Sequence, residues 1–464
     1  MRTTPDTALP IRVRRGEGPL PDQIVAEIRR LLAAGVLTAG DPLPSTRALA
    51  TRAGVSRGSV VAAYEQLLAE GWLVAHGGRG TRVNPKVRAV RPPAADLRPE
   101  HPPATCSAPT LIDLRPGRPM ESSLVDATWR SAWRRAADEP LDVPVPTLGC
   151  DPLRHAIAEH LRRMRAVVRS PDRIAVTAGG REGLALLLGA LGVRRVGVEE
   201  PGYPSLRQVV ARAGAELVTL ATDRDGLITD LLPDRAPDLV LVTPSHQYPL
   251  GGSLPIDRRQ ALLEWADRHG VWVVEDDYDS ELRYTSQPLP ALTAMDERER
   301  VVLLGTFAKT LSPALATGFL VLPGPLIGPV AAERTARGMP VSLVTQRAVG
   351  HYLTAGGLTR HTQRMRHLYR RRRALVVTGL EGLPGAAVRP MDGGLHAVVD
   401  CVGTGLTEPE LLARLADAGV LVTGLSAYWS TTESPPGIVF GFGAIADEEL
   451  ARGLAVIADV LRGG

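Results

Sequence analysis

Between residues 173 and 307, five strand-like apolar runs alternate with helix-compatible stretches. This alternation constrains the fold more than any other feature of the chain. The runs are RIAVTAGG, RVGVEEPGY, DLVLVTPSHQ, GVWVVEDDY and RVVLLGTF. Segments such as REGLALLLGAL and DRRQALLEWADRHG separate them. The pattern predicts a largely parallel sheet covered by helices. Ligands in such sheets bind where the carboxyl ends of the strands meet the loops, and the distinctive residues of this chain sit at those ends.

One of them is a lysine. Lys and Arg together number 54, yet only Lys86 and Lys309 are lysines. A guanidinium stays protonated, whereas a lysine amine can lose its proton and attack a carbonyl. Lys309 follows RVVLLGTF, so it is either a charge at a strand end or a Schiff-base lysine. Asp276 and Tyr278 follow another strand, in EDDYDSELRY. Gly179 and Gly180 follow a third and open a helix, which offers backbone N–H groups to a phosphate. Tyr203 follows a fourth, in EEPGYPS. Alone, each has an ordinary reading: a cap, a tight turn, a turn aromatic. Together they are the parts of a pyridoxal phosphate site: an amine, a carboxylate for the ring nitrogen, a phenol, a phosphate cup and a stacking ring.

Residues 1–90 carry 13 Lys and Arg against 7 Asp and Glu. Since the whole chain is +4, the remainder is slightly acidic. A basic end on an acidic body points to an anionic partner, nucleic acid first. Ile24, Ile28, Leu31 and Leu32 recur at helical spacing, and Gly-Asp-Pro at 40–42 breaks that helix. Ser45 caps a second helix with Leu49 and Ala50. Gly54 turns the chain, and Ser56 caps a third helix with Val60, Ala63, Tyr64, Leu67 and Leu68 inward. WLVAH and GTRV flank Gly77-Gly78-Arg79, a small basic wing. Helix, tight turn, helix is the helix-turn-helix layout. It sets Ser56, Arg57, Gly58 and Ser59 toward base edges, with Arg57 able to read guanine, and Ser45, Thr46 and Arg47 toward phosphates. Residues 85–110 form a Pro-rich linker.

Cys106, Cys150 and Cys401 form no C-x-x-C pair, and no histidine or cysteine spacing suits a metal. This argues for a reducing, cytoplasmic compartment. No apolar run reaches the ~18 residues of a membrane span, and MRTTPDTALP lacks the apolar core of a signal peptide. The basic run RMRHLYRRRRAL at 364–375 reads first as a solvated helix face, with a wider DNA contact as the alternative.

The pattern LPSTRALA…GVSRGSV…AYEQLLAEGWL resembles the winged helix-turn-helix of GntR-type bacterial regulators. From about residue 111 onward, PTLGCDPLRHAIAEHLRRMR, VTAGGREGLAL, EEPGYPS, VTPSHQYPLGG, VVEDDYDSELRY and GTFAKTLSPAL resemble a fold-type I aminotransferase domain. The chain is thus similar to MocR/GabR-type regulators, which fuse the two. The resemblance implies a winged helix at 10–84 and an α/β body at 111–464. The body would have a large subdomain near 146–345 and a smaller α+β subdomain near 346–464. It also implies that Lys309 forms the Schiff base, Asp276 pairs with the pyridine nitrogen, Tyr278 meets the ring oxygen and Tyr203 stacks. Operator DNA, a small effector (an amine, an amino acid or pyridoxal phosphate itself) and a head-to-tail homodimer are the implied partners.

The chain departs from this family at several points. The pattern K-x-x-x-P-x-x-R supplies an arginine to the cofactor phosphate, but here the register gives Lys309, Pro313 and Ala316. Thr306 remains as a hydroxyl donor, and Arg181 stands where the cup usually has Gln and could replace the lost charge. Tyr248 takes the place of the Asn of the N-P-x-G turn. GIVFGFGAI sets Val439 where transaminases carry a carboxylate-binding Arg. These departures favour a pyridoxal phosphate-dependent transcriptional regulator whose body is a sensor. A working aminotransferase with an appended DNA-binding domain is the enzyme alternative. A body that has lost the cofactor and only dimerises is the third.

Overall fold

Five apolar side chains at helical spacing, Ile24, Val25, Ile28, Leu31 and Leu32, bury one face of helix α1 (Leu20–Ala33). The computed structural model that places them describes residues 9, 11, 13, 14, 16, 18–76, 80–87, 111–141, 143–283, 290–430 and 434–463. Helix α2 (Thr46–Ala53) starts at Ser45, whose hydroxyl accepts from the Ala48 amide at 3.2 Å. It ends at Gly54 in the left-handed region, φ 67°. Helix α3 (Arg57–Ala69) starts at Ser56, which accepts from the Ser59 amide at 3.1 Å. The buried Tyr64 hydroxyl donates to the Pro44 carbonyl at 2.9 Å and so ties α3 to the entrance of α2. Strands β1 (Leu73–His76) and β2 (Gly80–Val83) pair antiparallel, Leu73 opposite Val83. The expected wing tip Gly77-Gly78-Arg79 lies outside the described residues, as does the linker from 88 to 110.

The chain divides into two units, Met1–Cys106 and Ser107–Gly464. The second begins with β3 (Ile112–Asp113), α4 (Ala127–Asp138) and α5 (Asp151–Arg165). Its main sheet is built from β4 (Ile174–Thr177), β5 (Arg195–Glu200), β6 (Glu216–Asp223), β7 (Gly226–Leu227), β8 (Leu239–Val242), β9 (Trp272–Asp277), β10 (Val301–Thr306) and β11 (Gly318–Val321). Their order is β4-β11-β10-β9-β8-β5-β6-β7. β10, β9, β8 and β5 are parallel, as the alternation predicts, and β6, which was not among the predicted runs, extends them in parallel. β11 was not expected. It follows Lys309 by a short loop with no crossover helix, and so pairs antiparallel with both β10 and β4.

Strands β12 (Ala387–Val388), β13 (His396–Asp400), β15 (Thr423–Gly424) and β16 (Gly437–Gly441) form a smaller antiparallel sheet in the order β12-β13-β16-β15. β14 (Val420–Leu421) pairs with β3 instead. The basic run on helix Gly357–Leu380 is only in part the solvated face expected of it: Arg364, Arg370 and Arg371 are exposed, but other arginines turn inward. Arg372 is 2% exposed and binds Asp447 and the carbonyls of Phe442 and Gly443. Arg366 and Arg373 donate to the carbonyls of Glu281 and Met391. These arginines fasten the helix to its neighbours, because buried carbonyls need donors.

Helix α6 (Gly180–Leu191) follows β4, and a buried arginine from the helix Gly324–Arg337 sets its first turn. Arg334, 1% exposed, donates to both Glu182 carboxylate oxygens at 2.8 and 3.1 Å and to the Val176 carbonyl at 3.1 Å. Glu182 in turn accepts from the Ala178 amide at 2.9 Å. Arg334→Met strands that carboxylate, so stability in urea unfolding should fall by about 3 kcal/mol.

Candidate functional site

The carboxyl ends of β4, β5, β8, β9 and β10 meet at one edge of the sheet, and Lys309 lies three residues beyond β10. Lys309 is half-buried, and its Nζ donates to the Gly117 carbonyl at 2.6 Å. Gly117 has φ +106°, and a Cβ there would lie 3.3 Å from Nζ. Burial lowers the amine's pKa below the ordinary lysine value, and the charges of Asp279 and Asp276 oppose this.

Gly179 caps α6 at φ 89°, so the glycine turn after β4 presents a helix N-terminus at the same edge. It rests on Gly318 of β11, where a Cβ would stand 2.9 Å from the Gly179 Cα. Across the turn is Thr306, whose hydroxyl would lie 3.8 Å from a Cβ on Gly179. That hydroxyl also accepts from the Ala308 amide at 3.1 Å. Arg181, in the first turn of α6, is exposed and has no partner among the described residues. Ala316 is exposed too. It ends the turn Pro313–Leu315 in the left-handed region at φ 43°.

Acidic side chains dominate the floor. Asp276 on β9 is buried and accepts no hydrogen bond from a described residue. Burial first, then the charges of Asp277, Asp279 and Glu199, push its pKa up to about 8. Glu199 at the end of β5 is also buried. It accepts from the Thr243 amide at 3.2 Å and from the Thr243 hydroxyl, and burial pushes it up to about 7. Asp279, 2% exposed, lies 2.8 Å from His246 Nδ1. A cavity of about 20 Å³ touches Asp276, Glu199, Thr243 and Tyr203.

Aromatic rings close the edge. Tyr248 is the hub. Its ring centroid lies 5.1 Å from that of Tyr203, 5.5 Å from Tyr278, 4.9 Å from His396 and 5.4 Å from Tyr428. Tyr203 itself is 38% exposed. The Tyr278 hydroxyl donates to the His246 carbonyl at 3.0 Å and lies 2.9 Å from Nδ1. Val439 on β16 is fully buried with Tyr248, Leu425 and Tyr428, so an apolar wall stands at its position. The expectations thus meet at one edge, while Gly117, Glu199 and Asp279 are additions. Only Asp279 had a signal: it follows Tyr278 directly.

In the first unit, Ser45, Arg47, Ser56, Arg57 and Gly58 are exposed, and Thr46 and Ser59 are half-buried. The Ser45 and Ser56 oxygens accept amides as caps, and Ser56 also lies 2.9 Å from the Ser59 hydroxyl. Arg47 and Arg57 side chains have no partner among the described residues. Arg79 lies outside them. Among the described residues no helix is long and apolar enough to cross a membrane, and no cluster of His, Cys, Asp and Glu could hold a metal.

Two family models match the chain: aminotransferase class I and II over residues 112–435, and bacterial regulatory proteins of the gntR family over 20–83. It is 46% identical over 445 residues to the HTH-type pyridoxine biosynthesis transcriptional regulator PdxR of Corynebacterium glutamicum, covering 95% of this chain and 96% of that protein. It is 33% identical over 462 residues to the probable rhizopine catabolism regulatory protein MocR of Rhizobium meliloti, covering 95% and 93%. An archaeal alanine:glyoxylate aminotransferase superposes with TM-score 0.71 at 23% identity, over 76% of this chain and 91% of that one. This likeness shows the fold alone.

The raised pKa of Asp276 makes stability pH-dependent. The folded chain keeps this proton to about pH 8, while the unfolded carboxyl releases it near 3.8. The stability it contributes is therefore full below about pH 4 and is lost as pH rises toward 8. In cofactor-free Asp276→Asn this loss disappears. Between pH 5 and 8, denaturant titrations should show the variant losing less stability than wild type, by on the order of a few kcal/mol.

Proposed function

The chain belongs to the MocR-type regulators of the GntR family, with an aminotransferase-like sensor domain, and on that premise we propose how its two units work. The first binds double-stranded operator DNA, with α3 in the major groove. Arg57 reads a base there, while Arg47, Ser45 and Thr46 hold phosphates. The body holds pyridoxal 5'-phosphate at Lys309 and senses a small effector, within a head-to-tail homodimer. The domain limits we assign are 10–84, 85–110 and 111–464.

The residues at the sheet edge fit this cofactor. The single observation that carries the reading is Asp276: a buried carboxylate with no donor from the described residues, beside the one lysine of the body. A protonated ring nitrogen would supply that donor and charge. When bound, pyridoxal phosphate supplies an aldehyde that combines reversibly with amines and an electron-withdrawing ring. Lys309 carries the nucleophilic amine, kept reactive by burial. Gly179, Gly180 and Thr306 offer donors to the phosphate. Arg181 supplies the positive charge that Ala316 lacks. Tyr278 would offer its phenol to the ring oxygen in place of the His246 carbonyl, and Tyr203 would cover the ring face. The apolar wall around Val439 supports sensing over turnover, because orientation of an amino acid carboxylate supplies much of transaminase catalysis. The 46% identity to a regulator named for pyridoxine biosynthesis supports pyridoxal phosphate itself as the effector.

An effector shifts DNA binding only through different affinity for the two states. Adding pyridoxal phosphate to purified chain should therefore give lysine-dependent visible absorbance and change operator affinity. Lys309→Ala should lose both. Wild type without the absorbance, and with unchanged DNA affinity, would leave only the DNA-binding half. With an operator selected from random duplexes, Arg57→Ala should cost about 1–3 kcal/mol and relax specificity at one base pair. Arg47→Ala should weaken all sequences alike and reduce the salt slope by about one.

A further inference from the structure

We propose that His246, its ring fixed by Asp279, is a positioning residue for Tyr278 that keeps the phenol a hydrogen-bond donor for the cofactor's ring oxygen. This deepens the cofactor reading given above and rests on it.

One histidine makes three short contacts. Its Nδ1 lies 2.8 Å from Asp279 Oδ2 and 2.9 Å from the Tyr278 hydroxyl, and its carbonyl accepts from that hydroxyl at 3.0 Å. A carboxylate only accepts, so Nδ1 carries a proton and donates it to Asp279. Nδ1 then has no lone pair for the phenol, whose own proton goes to the His246 carbonyl. Burial first, then the charge of Asp279, hold the Tyr278 pKa well above its ordinary value, so the phenol keeps that proton. A ring oxygen at this edge would compete for it only with a neutral carbonyl.

The imidazole is held in place. His246 is 5% exposed, and Gly394, φ +80°, is its cradle. A Cβ on Gly394 would stand 2.7 Å from His246 Cε1 and 2.8 Å from Asp279 Oδ2. The loop itself is pinned by other groups. Arg283 and Ser253 donate to the Ser245 carbonyl at 3.1 and 3.0 Å. The Gln247 amide donates to the carbonyls of Pro201 and Tyr248 at 2.8 and 2.9 Å. The imidazole's described hydrogen-bond partners are Asp279 and Tyr278 alone. The other titratable groups facing this set are His396 on β13, 5.8 Å from the imidazole, and Tyr248, 5.5 Å from the Tyr278 ring. His396 donates to the Pro249 carbonyl at 2.9 Å, and burial pushes its pKa down to about 4, so it stays neutral near neutral pH. Burial holds Tyr248 well above the ordinary phenol range.

The test is a pH titration of the lysine-dependent visible band of the full chain loaded with pyridoxal phosphate. A phenol donating to the ring oxygen draws charge from it and makes the adjoining lysine nitrogen easier to deprotonate. Tyr278→Phe should therefore move the midpoint of the band up by about one pH unit, a tenfold change in proton affinity. His246→Phe should move it the same way by about half a unit or more. His246→Leu serves if the Phe variant does not fold. His246→Asn, whose amide can still donate to Asp279, should keep the midpoint close to that of wild type. In a Tyr278→Phe background the His246 substitution should add nothing, because its effect runs through the phenol. An unmoved midpoint in a folded His246→Phe or His246→Leu variant overturns the proposal. So does a shift that persists without the phenol, since the histidine would then act by charge. Wild type without the band overturns the cofactor reading, and this proposal with it.

Discussion

Burying carboxyl groups is costly, and the body of this protein does so three times at one sheet edge. Glu199, Asp276 and Asp279 are all buried, with no arginine among their described hydrogen-bond partners. The raised pKa values of Glu199 and Asp276 and the lowered pKa of Lys309 share one cause, desolvation. The rest of the architecture supports this arrangement. Parallel strands bring the acids to a common edge, β11 props the glycine turn, and Arg334 holds the helix that starts there.

How much of this was legible follows from how each element is buried. The five strands covered on both faces read as continuous apolar runs and were plain. The short strands of the smaller sheet, of two to five residues, carry too little pattern to be seen. EDDYDSE is the instructive case, since its acids look interchangeable in sequence. Strand alternation separates them. Glu275 accepts the amides of Leu292 and Thr293, and Asp277 pairs with Arg165. Asp276, between them, takes the opposite face. Asp279 leaves the strand and meets a histidine from another loop. No local rule distinguishes the last, because its partner is 33 residues away. Gly117 is similarly invisible: its role is a carbonyl, and every residue has one.

The departures from the family pattern were readable as letters, and their setting needed coordinates. Ala316 stands exposed at positive φ. Arg181 is a cation in the first turn of a helix, where the macrodipole disfavours positive charge unless an anion shares the site. Tyr248, which replaces a small polar residue, became the centre of an aromatic cluster joining both sheets of the body.

The pairing of β3 with β14 has a consequence for how the chain is made. Ile112 and Leu114 sit in a core otherwise drawn from residues beyond 280, and the Gly441 amide reaches back to the Leu114 carbonyl. Loop closure over such a separation is slow and comes late. During synthesis, the first segment of the body must therefore wait for nearly the last. The N-terminal unit, whose contacts are local, can meanwhile acquire its shape on the ribosome. Nascent chains would thus hold a formed DNA-recognition unit ahead of an unfinished sensor.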